Sequence, residues 1–157
     1  MSEAACETVH LRAGRSKSGR PVDEEIRVER LSATQVRVAA SPGLLLGVAA
    51  GDIIEPDHTG GFRLIERGGN LAVQLHGDTQ QVDQALAAAL GDLRYRFDGR
   101  AKQLTVLTIP VSETFARVEA ALNRLCAQVP GSAWYYGNVY DDADGVTPLN
   151  WWLPRPA

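Results

Sequence analysis

The chain is poor in the residues from which small reactive centres are usually built. It has 2 cysteines and 3 histidines in 157 residues. Cys6 and Cys126 stand far apart, which excludes a disulfide framework and a zinc-type spacing. Cys126 falls beside a helical apolar stripe and is expected as a small buried hydrophobe. His10, His58 and His76 lie at no metal-ligand spacing from one another and are expected at the surface or at strand ends. There is no G-x-S-x-G elbow, H-E-x-x-H helix or C-x-x-C pair. No cofactor and no metal are expected from such a set. No apolar run reaches the ~18 residues that a membrane span requires. The opening "MSEAACETVH" has neither a basic leader nor an apolar h-region, so no cleaved secretory signal is expected. The formal net charge of −3 argues against general nucleic-acid binding. The basic segment "LRAGRSKSGRP" is short and lacks interleaved aromatics, and it reads as a solvated loop. These absences describe a cytoplasmic protein with reduced thiols.

What is present is an ordinary globular composition, 45% hydrophobic and 22% charged. Residues 1–69 carry turn signals every eight to twelve positions. "EIRVERL" and "QVRVAA" alternate Ile26, Val28, Val36 and Val38 against charged neighbours, the pattern of an antiparallel hairpin with one wet face. Shorter strands follow at Ile53–Glu55 and in "GFRLIERGG", and Thr8 to Arg12 supplies another. This predicts a small antiparallel β lobe with a barrel-like twist, preceded by a candidate mobile arm over residues 1–20.

From Asn70 onward the texture changes. "LAVQLH" reads as a strand with Leu71, Val73 and Leu75 on one face. "DTQQVDQALAAALGDL" reads as a helix capped by Asp78 or Thr79. "RYRFDG" and "QLTVLTIP" read as two strands about a turn at Asp98-Gly99. Leu104 to Ile109 is apolar enough to be buried on both faces. "SETFARVEAALNRLCAQVPG" is a second helix with Ser112 as its cap, and "AWYYGNVY" is a last strand. "LNWWLP" is either an edge strand or a packed tail. The order β-α-β-β-α-β over residues 70–157 predicts a ferredoxin-like sheet covered by two helices. The fold expected is α+β, with the two lobes forming one unit.

The stretch "LLLGVAAGDIIE" raises the question of a phosphate cradle. A P-loop needs Lys and Ser or Thr after its glycines, at a helix start. Here Gly51 is followed by Asp52-Ile53-Ile54, a negative charge and a β-branched pair. The stretch is expected to be a tight turn, with Gly51 at positive φ and Asp52 bonding nearby amides.

The runs "RPVDEEIRVERL", "VRVAASPGLLLGVAAGDIIE" and "FRLIERGGNLAVQL" together resemble a family of uncharacterised bacterial domains. Its pattern passes through a G-[VI]-A-x-G-D-x-[VI] segment to a glycine-rich turn and strand. "LTVLTIPVSETFARVEAALNRL" and "AWYYGNVYD" extend the likeness over most of the chain. The resemblance implies an architecture and brings no established activity.

Of the ten aromatic residues (3 Trp, 4 Tyr and 3 Phe), six lie from Trp134 onward. They are Trp134, Tyr135, Tyr136, Tyr140, Trp151 and Trp152. Neighbours along a strand face opposite ways, so all can be buried only in a sheet covered on both sides. Beside them lies the acidic segment Asp141, Asp142 and Asp144. Read as an EF-hand, it would place Tyr140 first and Trp151 twelfth, which lacks two ligands, so a solvated turn is expected. Aromatic anchors beside acidic steering groups suit a partner protein with a basic surface. The function expected is non-enzymatic protein binding through these nine residues, a toxin-neutralising immunity protein being one instance. A small-ligand regulatory domain is the alternative. The weakest reading is an enzyme with a site assembled across the chain, such as His76 with Asp78 or Asp98.

Overall fold

The structure, a computed structural model, describes residues 6–15 and 18–154. Residues 1–5, 16 and 17 of the expected N-terminal arm lie outside the described residues. What is described of that arm is a ten-residue strand, β1 (Cys6–Arg15), which extends well beyond Thr8–Arg12. It pairs with β2 (Pro21–Arg30), and Arg12 Nε donates to Asp23 Oδ1 at 2.8 Å.

β2 pairs in turn with β3 (Val36–Val38), β3 with β4 (Ile53–Pro56), and β4 with β5 (Phe62–Glu66). All four pairings are antiparallel, giving a five-stranded meander in chain order. The Arg12 N–H donates to the Gly60 carbonyl at 2.7 Å, which draws the first strand against the β4–β5 turn and curls the sheet. Alternation buries Ile26, Val28, Val36 and Val38 with Leu11 and Ile54 in one apolar cluster. Leu45 and Val48 of the β3–β4 connection plug that cluster.

The second sheet contains β6 (Asn70–His76), β7 (Arg96–Ala101), β8 (Leu104–Pro110) and β9 (Ala133–Tyr136) in the order β7-β8-β6-β9. All of its pairings are antiparallel. Helices α1 (Thr79–Leu90) and α2 (Phe115–Gln128) cover one face. Leu71, Val73, Leu75, Leu107 and Ile109 meet Val82, Leu86, Val118 and Leu122 in a second apolar cluster. Each helix has the single apolar stripe that one-sided cover demands. Over its described residues the protein is therefore α+β, with two α-helices and two antiparallel sheets.

Three local expectations are corrected. Asp98-Gly99 is not the β7–β8 turn: it lies within β7 at a register shift, and Lys102-Gln103 makes the turn. The bulge lets Asp98 point inward, where its Oδ2 accepts from the Ser41 N–H at 3.1 Å and from the Thr108 hydroxyl. Ser112 does not cap α2. A 3₁₀ turn at Val111–Glu113 intervenes, and Thr114 Oγ1 accepts from the Arg117 N–H. Asp78 caps α1 as expected. Trp151 and Trp152 belong to no strand, so strand alternation does not apply to them. Both pack against the helix-side cluster as a tail.

The face of the second sheet away from the helices is covered by residues 39–50 of the β3–β4 connection. Ser41 Oγ lies 2.6 Å from Thr108 Oγ1, and the Gly47 N–H donates to the Gly137 carbonyl at 2.7 Å. The stretch that looked like a phosphate cradle is a turn, and its pinning group is Asp52. Gly51 has φ +94°. Asp52 is fully buried, and its two oxygens accept from the Ala49 N–H at 3.0 Å and the Gly68 N–H at 2.8 Å. Arg67 Nη1 stands 3.3 Å away. Burial raises the Asp52 carboxyl above its ordinary 3.8, while the two amides and Arg67 pull the other way.

Two outcomes are expected. A Cβ on Gly68 would sit 2.4 Å from the Gly51 carbonyl carbon, so Gly68→Ala should cost about 2–3 kcal/mol in urea denaturation. The proton-linked part of the Asp52 contribution is fully present below pH 3.8 and is lost as pH rises through the raised folded value. The stability advantage of the native chain over Asp52→Asn should therefore shrink with rising pH across that interval, in denaturation curves taken at a series of pH values.

Candidate functional site

Strand β9 is the outer strand of the second sheet, and the chain beyond it folds back to make a wall. Gly137 N–H donates to the Ala72 carbonyl at 2.8 Å, which ends the pairing with β6. The next residue, Asn138, is fully buried. Its side chain accepts from the Ala72 N–H at 2.9 Å and donates to the Asn70 carbonyl at 2.8 Å, standing in for a further strand residue. The chain then turns through Asp141 and Gly145 and returns, with Asp141 N–H donating to the Thr147 carbonyl at 2.8 Å and Tyr140 bridged to Pro148. Trp151 Nε1 donates to the Asn138 carbonyl at 2.8 Å and fixes the returning tail.

Between β9 and this loop lies an open cleft of about 450 Å³. Trp134, Tyr135, Tyr136, Tyr140, Asp141 and Asp142 line it. Residues from both faces of β9 contribute, so the cleft follows the strand's outer edge. Asp144, Trp151 and Trp152 lie outside its wall. Asp144 is committed to its own loop, where Oδ1 accepts from the Val146 and Thr147 amides at 2.9 Å and Oδ2 from the Thr147 hydroxyl. The Thr147 hydroxyl, first of these, holds the Asp144 carboxyl below its ordinary value. Trp151 lies under the Arg67 guanidinium, 5.5 Å from it, and Trp152 packs edge-on against Phe115 at 4.8 Å.

Within the cleft the aromatics differ in role. Trp134 and Tyr136 lie on the helix side, 4.9 Å apart and edge-on, partly buried in the core cluster. Trp134 Nε1 donates to Asn123 Oδ1 at 2.9 Å and the Tyr136 hydroxyl donates to Glu119 Oε2 at 3.1 Å. Burial, reinforced by the Glu119 carboxylate, pushes the Tyr136 hydroxyl far up, so it remains a donor. Tyr135 faces the other way, is 58% exposed and stacks edge-on with His76. Tyr140 is 41% exposed.

Five lining residues were not among the predicted nine, the glycines Gly137 and Gly145 and three with side chains. Leu46 comes from the β3–β4 connection, Gln74 from the middle of β6, and Glu119 from α2. A polar residue inside the apolar run "LAVQLH" was the available signal for Gln74. Glu119 had none, since nothing ties it to Tyr136 until α2 lies over β9. Among the described residues the cleft's ionisable side chains are Glu119, Asp141, Asp142 and three tyrosines, with no arginine, lysine or histidine.

The histidines are all exposed. The carboxylates considered with His76 are engaged elsewhere, Asp78 as a helix cap and Asp98 on Ser41 and Thr108. Among the described residues no group of three or more His, Cys, Asp and Glu is placed to hold a metal ion, and no helix is long and apolar enough to cross a membrane.

These placements separate core rings from surface rings. Trp152→Ala should cost about 3 kcal/mol in chemical denaturation, whereas Tyr135→Ala should stay within about 0.5 kcal/mol of the native chain.

Among curated proteins, none matches this chain. A solved structure of a hypothetical protein from Neisseria gonorrhoeae is similar, with a TM-score of 0.60 at 13% identity, over 87% of this chain and 96% of that one. At that identity the likeness concerns the fold. The model of a domain of unknown function, DUF4265, matches residues 24–132, from β2 to the residue before β9. The match takes in Leu46, Gln74 and Glu119 and stops short of Trp134. The chain belongs to the DUF4265 family.

Proposed function

We propose that this protein is a non-enzymatic binding domain that docks a basic partner protein at the β9 cleft. The carrying observation is the convergence of Tyr135, Tyr140, Asp141 and Asp142 on one open cleft whose charged side chains, among the described residues, are all acidic. Exposed tyrosines supply anchoring area at low entropic cost, and carboxylates at the rim steer a cationic surface. A domain that neutralises a basic toxin would use such a surface, and is one member of this class. The two unpaired cysteines support a reducing, cytoplasmic setting. We also infer that the four-stranded layer is of ferredoxin-like type, a reading supported by its β-α-β-β-α-β chain order and its strand order.

The test is capture from host extract by the native chain and by a Tyr135→Ser, Asp141→Asn, Asp142→Asn variant, followed by reconstitution with the purified partner. The partner is expected to be basic, to be lost by the variant, and to bind more weakly as salt rises. Identical capture by both chains would overturn the reading.

A further inference from the structure

Among the described residues three buried side-chain polar atoms have no hydrogen-bond partner: Arg67 Nε, Gln74 Nε2 and Thr105 Oγ1. Of these residues, Gln74 lines the cleft, and it is only 7% exposed. An unpaired buried amide is destabilising, so one in the wall of an open cleft leaves a donor available to an acceptor from outside. The space above it is kept by Gly137. A Cβ there would lie 3.5 Å from Gln74 Nε2 and 3.2 Å from the Ala72 Cβ.

The backbone of β9 adds a second unfilled capacity. Because the Gly137 N–H points to β6, the alternation of an antiparallel ladder turns the N–H and C=O of Trp134 and Tyr136 outward. Among the described residues nothing bonds to them. Among the described residues the cleft thus combines an open strand edge, a buried amide donor, aromatic faces, and three carboxylates, Glu119, Asp141 and Asp142, with no lining cation.

We infer that the cleft takes an extended segment of the partner protein carrying an arginine or lysine. The segment pairs with the outer edge of β9, its cationic side chain lies among Tyr136, Tyr140 and the three carboxylates, and one of its carbonyl oxygens accepts from Gln74 Nε2. Strand addition accounts for the open edge. A cation over tyrosine faces beside carboxylates accounts for the lining. A volume of about 450 Å³ suits a few residues of chain and not a whole domain surface. This inference rests on the docking function proposed above and specifies what enters the site.

The probes are the blocked pentapeptide Val-Thr-Arg-Thr-Val, its citrulline counterpart, which keeps the shape and removes the charge, and an alternately N-methylated form that cannot pair as a strand. Each is titrated into the full chain while the Gln74 side-chain amide and the Trp134 and Tyr136 backbone amides are followed by NMR. Saturable shifts at all three are expected with the arginine peptide, at least about tenfold weaker binding with citrulline, and loss of binding on N-methylation. Gln74→Met should raise Tm by about 2–4 °C while weakening the arginine peptide about fivefold, because it removes an amide that is unpaired until the ligand arrives. Equal binding of the arginine and citrulline peptides, shifts elsewhere on the protein, or no saturable shift at millimolar peptide would each overturn the inference. If captured partner still depends on the cleft while the arginine peptide gives no response, the inserted basic segment falls and docking stands. If capture is indifferent to the cleft, docking falls and the inference with it.

Discussion

The buried carboxylate of Asp52 is the point on which both lobes turn. One oxygen holds the Ala49 amide, the other holds Gly68, and Arg67 approaches from the side. The carboxylate thereby joins the end of the β3–β4 connection to the turn that leads into β6. A buried charge without such partners would cost several kcal/mol, so the geometry of the turn and the ionisation of the side chain depend on each other. The contact is close enough that Gly51 and Gly68 pass with no room for a side chain on Gly68.

From that point a chain of polar contacts runs to the cleft. Asn70 Nδ2 donates to the Ala50 carbonyl at 2.8 Å, and Asn138 reaches back to the Asn70 carbonyl. Arg67 Nη1 donates to the Gly47 carbonyl at 2.7 Å, while the Gly47 amide is bound to Gly137 at the end of β9. Trp151 lies beneath Arg67 and donates to Asn138. The loop that walls the cleft is therefore held by groups from both sheets and from the tail. Rigid support of this kind suits preorganised binding, because little ordering entropy remains to be lost when a partner docks. Gln74 Nε2 and Arg67 Nε are the exceptions within this otherwise satisfied region, and of the two only Gln74 lines the cleft. A local rule broken beside an open cleft is where function is expected to show.

Much of the architecture was legible along the chain. Period-two alternation announced β2 and β3, and the apolar stripes announced α1 and α2, because burying one face of an element leaves a repeat in the sequence. The glycine stretch was legible as a turn because Asp52 and the β-branched pair after it oppose a phosphate and a helix. The bulge at Asp98 was not legible. An Asp-Gly pair satisfies a hairpin turn and a strand irregularity equally well, and only the inward hydrogen bonds to Ser41 and Thr108 select the latter. Thr114 displaced Ser112 as a cap for a similar reason, since a 3₁₀ turn shifts the helix start without altering its stripe.

The sequence by itself determined which residues would be apolar, which would turn, and that aromatic and acidic side chains would crowd the last strand and the loop after it. Such properties follow from local chemistry and short periods. Only the tertiary structure decided that Trp151 and Trp152 pack partly buried against the core, that Tyr135 and Tyr140 remain exposed, and that Leu46, Gln74 and Glu119 join them. Those assignments depend on which layer lies over which face of the second sheet. That is fixed by contacts between residues tens of positions apart, for which no short pattern in the chain encodes the partner.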